Sequence, residues 1–97
     1  MSGASAMEDT HYFFPPAAAY GLNTCLFRLK SDDAFRSRFR EDPRGALAGA
    51  GLPADAEAAL LALDRDRLVA LGAHPYLVFM AGLRLRMDQD PGAFEYF

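Results

Sequence analysis

The strongest candidates for chemistry in this chain are two histidines, one cysteine and four serines. A redox or hydrolytic metal site usually takes three or four protein ligands. His11 and His74 lie most of the chain apart, and no spacing brings them together beside a carboxylate. No metal site is therefore expected within the chain. Cys25 shares one helical side with Leu22, Leu26 and Leu29, which marks it as a small core residue. No histidine lies within a turn of it to form a thiolate–imidazole pair. Ser2, Ser5, Ser31 and Ser37 have no placed base. Gly49-Ala50-Gly51 sits at a helix end, without the preceding strand and the lysine that a phosphate loop requires. Taken by themselves, these residues argue against a self-sufficient enzyme. His74 keeps two roles open. It can bond nearby backbone or a partner group at a helix start, or donate a proton into a site built mainly by another chain.

The elements that would position these residues are helices. After a polar leader, His11-Tyr12-Phe13-Phe14-Pro15-Pro16 reads as an extended arm, because each residue before a proline is pushed out of the α region. Three adjacent aromatics cannot all face inward by helical periodicity, so the arm either wraps its own domain or lies on a partner. Residues 1–19 are assigned to this leader and arm, and residues 20–97 to a single helical domain. Tyr20-Gly21 reads as a turn into the first helix, with Asn23 as its N-cap. Ser31 is the expected cap of the second helix, which carries Phe35 and Phe39 one turn apart. Asp42-Pro43 opens a short helix running to Ala50, and Gly51 stops it. An alanine-rich helix spans Pro53 to Leu63, and another runs from Asp64 to a stop at Gly72. His74-Pro75 opens the last helix, which reaches about Met87. β-Branched residues are rare (two Val, two Thr, no Ile), and no stretch alternates polar and apolar residues. The fold expected is all-α, a compact array of five to six short helices.

Composition narrows the partners. Ten Lys and Arg against thirteen Asp and Glu give a net charge of -3, which excludes the basic field typical of nucleic-acid binding. The local run Arg28, Lys30, Arg36, Arg38, Arg40 and Arg44 is interleaved with Asp32, Asp33, Glu41 and Asp42, and reads as a solvated surface. The longest uncharged apolar run, Pro75 to Leu83, is about half of a membrane span. One cysteine and a first stretch unlike a secretory signal lead to the expectation of a cytoplasmic protein.

The last helix is the most informative segment. Tyr76, Phe79, Met80, Leu83 and Met87 form one face, and Leu77, Val78, Ala81 and Leu85 the other. Such a helix is buried on every side, either within its own domain or between this domain and a larger subunit. Together with Tyr12, Phe13 and Phe14 of the arm and Phe94, Tyr96 and Phe97 of the tail, it holds more aromatics than one small core absorbs. Tyr12, Phe13, Phe14, Phe79, Phe94, Tyr96 and Phe97 are therefore the expected partner contacts. Alone, the chain is expected to self-associate or to expose apolar surface detectable by dye binding.

The order Tyr20-Gly21-Leu22-Asn23, Phe35 and Phe39, Asp42, Leu47, Gly51-Leu52, Ala59-Leu60-Leu61, Asp64 and Leu71-Gly72-Ala73-His74-Pro75-Tyr76-Leu77 resembles the α-subunit family of protocatechuate 4,5-dioxygenase. The likeness runs from about Tyr20 to Met87. It implies a small helical subunit with no cofactor of its own, packed on a larger β subunit that carries Fe(II) and opens a catechol-type aromatic diol with O₂. In such a complex the small subunit lids the site. The resemblance places Gly72, His74 and Tyr76 at the substrate pocket or lid, with His74 as an accessory candidate for catalysis. The chain ends sooner after its last helix than the longer members of that family do.

Overall fold

The computed structural model describes residues 17–90, and these contain six helices and no strand. They are α1 (Ala17–Ser31), α2 (Asp33–Glu41), α3 (Pro43–Leu47), α4 (Ala54–Ala62), α5 (Arg65–Ala70) and α6 (Pro75–Gln89). The all-α array of short helices is the architecture anticipated. Among the described residues no helix is long and apolar enough to cross a membrane.

Two of the expected starts are corrected. Helix α1 begins at Ala17 and runs straight through Tyr20-Gly21. Alanine has the highest helix propensity, so Ala17-Ala18-Ala19 outweighs the modest penalty of one glycine. Asn23 is then an interior residue and not a cap. At the next junction the cap is Asp32, whose Oδ1 accepts from the Phe35 backbone N–H at 3.0 Å; Ser31 ends α1 instead. The carboxylate offers the dipole a full charge where the hydroxyl offers none, and the Phe35 N–H leads the influences that hold the Asp32 carboxyl below its ordinary value.

The other punctuation follows residue chemistry. Asp42 caps α3 through Gly45 N–H at 3.1 Å, with Pro43 in the first turn. That helix ends at Leu47, and a looser turn carries the chain to Gly51 at φ +67°. Asp64 caps α5 through Arg67 N–H at 3.2 Å. Gly72, at φ +105°, makes the sharp stop before α6. Helix α6 continues to Gln89, one turn's fraction beyond Met87.

The core gathers Leu22, Cys25, Leu26 and Leu29 of α1, Phe35 and Phe39 of α2, Leu47, Leu60 and Leu68, and Val78, Ala81 and Leu85 of α6. Burial also pushes the Cys25 thiol above its usual value, with Arg28 opposing weakly, so the sulfur behaves as a protonated apolar group. Helix α6 packs chiefly along α1. The two run parallel. Gly72 lies against Ala19 near the start of α1, whereas Asp88 near the end of α6 is tied to the last turn of α1 by Arg36.

Arg36 corrects the reading of the basic run as surface. Its side chain is only 2% exposed. Nε donates to Asp88 Oδ2 at 2.7 Å, Nη1 donates to the carbonyls of Leu29 (3.0 Å) and Lys30 (3.3 Å), and Nη2 pairs with Asp33. Burial works against its charge, but Asp88 and Asp33 together outweigh that and strengthen protonation. A buried cation needs this full set of partners, since leaving any of its donors unpaired is costly.

Candidate functional site

The residues singled out at the α6 start do come together. Asn23, projecting from the middle of α1, uses both ends of its amide on the chain segment 72–74. Its Nδ2 donates to the Gly72 carbonyl at 3.1 Å, and its Oδ1 accepts from the His74 backbone N–H at 2.7 Å. The side chain thus imitates a peptide group and fastens a turn about fifty positions away in sequence. Gly72 is required twice over. Its φ lies in the left-handed region, and a Cβ there would sit 2.7 Å from the Ala19 Cβ.

His74 is the N-cap of α6. Its Nδ1 accepts from the Tyr76 backbone N–H at 3.2 Å. The accepting nitrogen carries no hydrogen, so Nε2 holds the ring N–H. His74 is exposed, and this geometry equips it to donate one hydrogen bond to a neighbouring molecule. Tyr76, the second residue of α6, is 53% exposed. Gly72, His74 and Tyr76 therefore form one surface corner, with Asn23 beneath it. Asn23 is the residue that sequence reasoning misplaced. Its signal was present as an asparagine inside a helical run between Leu22 and Leu26, where a polar amide is otherwise unfavourable.

The α6 helix divides as its two apolar faces suggest, but only one is covered. Val78, Ala81 and Leu85 are buried and Leu77 is largely so, whereas Tyr76 and Phe79 project outward with Met80, Leu83 and Met87 half-buried between and beyond them. The expectation that this helix is buried on every side is not met within residues 17–90. On α1, Tyr20 and Phe27 are likewise exposed, at 75% and 53%, on the side opposite the buried leucines. Four large aromatics on two adjacent helices are an unusual solvent surface for a small domain. Tyr12, Phe13, Phe14, Phe94, Tyr96 and Phe97, the remaining expected contacts, lie outside the described residues.

Between α2 and α6, Asp33, Arg36, Ser37, Arg40, Arg84, Met87 and Asp88 line a cavity of about 560 Å³. Both of its acids are engaged with Arg36. Arg84 Nε is buried there without a partner among the described residues. No group of three or more His, Cys, Asp or Glu side chains among the described residues is placed to hold a metal ion.

Neither a curated protein nor a solved structure matches the chain significantly. One family model does match, over residues 22–92: the aromatic-ring-opening dioxygenase LigAB, LigA subunit. That span takes in Asn23, the Arg36 network, the Gly72–His74 turn and all of α6. With most of its length covered by this match, the chain belongs to the LigA-subunit family of aromatic-ring-opening dioxygenases.

Proposed function

We propose that this chain is the small, non-metal-binding subunit of an extradiol dioxygenase, packing on a larger LigB-like subunit and lidding its active site. In this reading the larger subunit carries Fe(II), which supplies the activation of O₂ and of a catechol-type substrate. The small subunit excludes water and closes one wall of the substrate cavity. The observation that supports it is the outward face of α6. Tyr76 and Phe79 stand exposed on a helix that is apolar all round, and exposed aromatics of this kind are characteristic of interface cores. His74 and Tyr76 then lie at the rim, where Nε2–H of His74 faces the partner or the substrate.

The test is co-purification with a LigB-like subunit, comparing the unmodified chain with Tyr20→Asp and Tyr76→Asp. Both side chains are exposed in the isolated fold, so neither change should lower its melting temperature by more than a degree or two. Each should weaken complex formation by at least tenfold, given that truncating a hot-spot aromatic costs about 2 kcal/mol or more. Co-purification that is indifferent to both substitutions would remove this face from the interface. A chain that remains monomeric beside every LigB-like subunit offered would instead leave a stand-alone helical interaction module.

A further inference from the structure

The cavity between α2 and α6, about 560 Å³ in volume, brings three arginines to one place: Arg36 and Arg40 from α2, and Arg84 from α6. Asp33 and Asp88 also line it, and Arg36 engages both. Arg40 stands 4.0 Å from Asp88 Oδ2, beyond hydrogen-bond reach. Arg84 is the odd charge. Asp88, one turn further along the same helix, would ordinarily pair with it, but Arg36 Nε holds that carboxylate at 2.7 Å. Among the described residues no carboxylate lies within 4.0 Å of Arg84, and its buried Nε meets no acceptor. Three arginines against two aspartates leave the lining with one net positive charge.

We propose that this cavity binds one carboxylate carrying a short apolar body. The charge balance selects a monoanion, because the second charge of a phosphate would come up against Asp33 and Asp88. Guanidinium geometry selects a planar group, whose two oxygens match paired N–H donors. The Arg84 guanidinium is shut off from water at Nε, so its charge is poorly solvated. An anion reaching it inside the cavity is attracted more strongly than one at an open surface. Ser37, exposed on the same helix as Arg36 and Arg40, adds a hydroxyl donor to the lining. Half-buried Met87 and the methylene stems of Arg40 and Arg84 supply the apolar side. The carboxylate belongs either to a free organic acid or to an Asp or Glu side chain of a partner, and the chemistry is common to both. This inference goes beyond the subunit reading and is measured on the chain alone, so either can fail without the other.

Backbone amide and arginine Nε–H chemical shifts of the full chain, titrated with sodium benzoate against sodium chloride at equal ionic strength, provide the test. Benzoate should give saturable shifts at Ser37, Arg40, Arg84 and Met87. Acetate should move the same signals with weaker binding, for want of an apolar body, and inorganic phosphate should bind less well than benzoate. Arg84→Met should weaken benzoate binding by about tenfold or more, with the melting temperature kept. Arg40→Gln, at an exposed position, should weaken it by a smaller factor, and Arg65→Met on α5 should leave it unchanged. Shifts that chloride reproduces, shifts spread over all the arginines, or undiminished binding by Arg84→Met would each overturn the proposal. A LigB-like subunit added to the benzoate-bound chain separates the two sources. Benzoate expelled in proportion to complex formed assigns the pocket to a carboxylate side chain of that partner, and benzoate retained in the complex assigns it to a free acid.

Discussion

The parallel pair α1 and α6 is fastened at both ends, by two different kinds of bond. At the starting end the fastener is Asn23, a neutral amide that meets the segment 72–74 at a partly open surface. At the far end it is Arg36, a buried cation held by two carboxylates and two carbonyls. The open end carries Gly72, His74 and Tyr76 at an accessible corner, whereas at the closed end the exposed Phe27 ring lies beneath the Lys30 ammonium. The contrast suggests a division of labour. One end gives the pair its strength, and the other holds a recognition corner in shape while leaving it accessible.

Removing Arg36 should therefore have the largest effect. Arg36→Met is expected to destabilise the isolated chain by about 3 kcal/mol, because two carbonyls and two carboxylates lose a charged donor at once. Chemical denaturation measures this directly, and a loss well below 1 kcal/mol would demote the closed end. Gly72→Ala comes next. Its Cβ would clash with Ala19 at a backbone conformation that alanine resists, for a cost of about 2 kcal/mol. A normal melting temperature in that variant would show that the turn can relax. Asn23→Ala should cost only about 1 kcal/mol, since Gly72 O and His74 N–H can turn to water. It should nevertheless raise hydrogen exchange at His74 and Tyr76 far more than at Asp88. Uniform exchange along α6 would contradict the separation of the two ends. The smallest effect is expected at Arg84, which lines the same cavity as Arg36 but has its Nε unpaired among the described residues. Arg84→Met should leave stability unchanged or slightly raised, as happens when a buried polar group without a partner becomes apolar. A loss comparable to that of Arg36→Met would mean that Arg84 has a partner beyond residues 17–90.

What could be read ahead of the structure was local chemistry. The stripe Leu22, Cys25, Leu26 and Leu29, the cap and proline at Asp42-Pro43, and the stop at Gly72 each depend on neighbours within a few positions. The cap by His74 was legible for the same reason. Arg36 was not, because its burial depends on Asp88, which lies 52 positions away, and on carbonyls freed by the end of α1. Within the sequence it is one arginine among several. Asn23 was misassigned on similar grounds, since its partners are 49 and 51 positions distant. The face of α6 posed a third kind of problem. Apolar residues all round announce that both sides prefer cover, but the periodicity of one chain does not say which side its own domain supplies.

The parallel arrangement of α1 and α6 has an electrostatic consequence. Helix dipoles laid side by side in the same sense repel, each pole carrying about half an elementary charge. Here both negative poles would meet at the same end, and Asp88 would add a full negative charge to them. The Arg36 guanidinium stands at that point, donating hydrogen bonds to the Leu29 and Lys30 carbonyls and to Asp88. A neutral donor could satisfy the same geometry but not the field. The opposite end keeps its two positive poles uncompensated by any acidic side chain in the first turn of either helix. The corner formed by His74 and Tyr76 consequently sits in a mildly positive potential, which favours an approaching surface that presents carboxylates or backbone carbonyls.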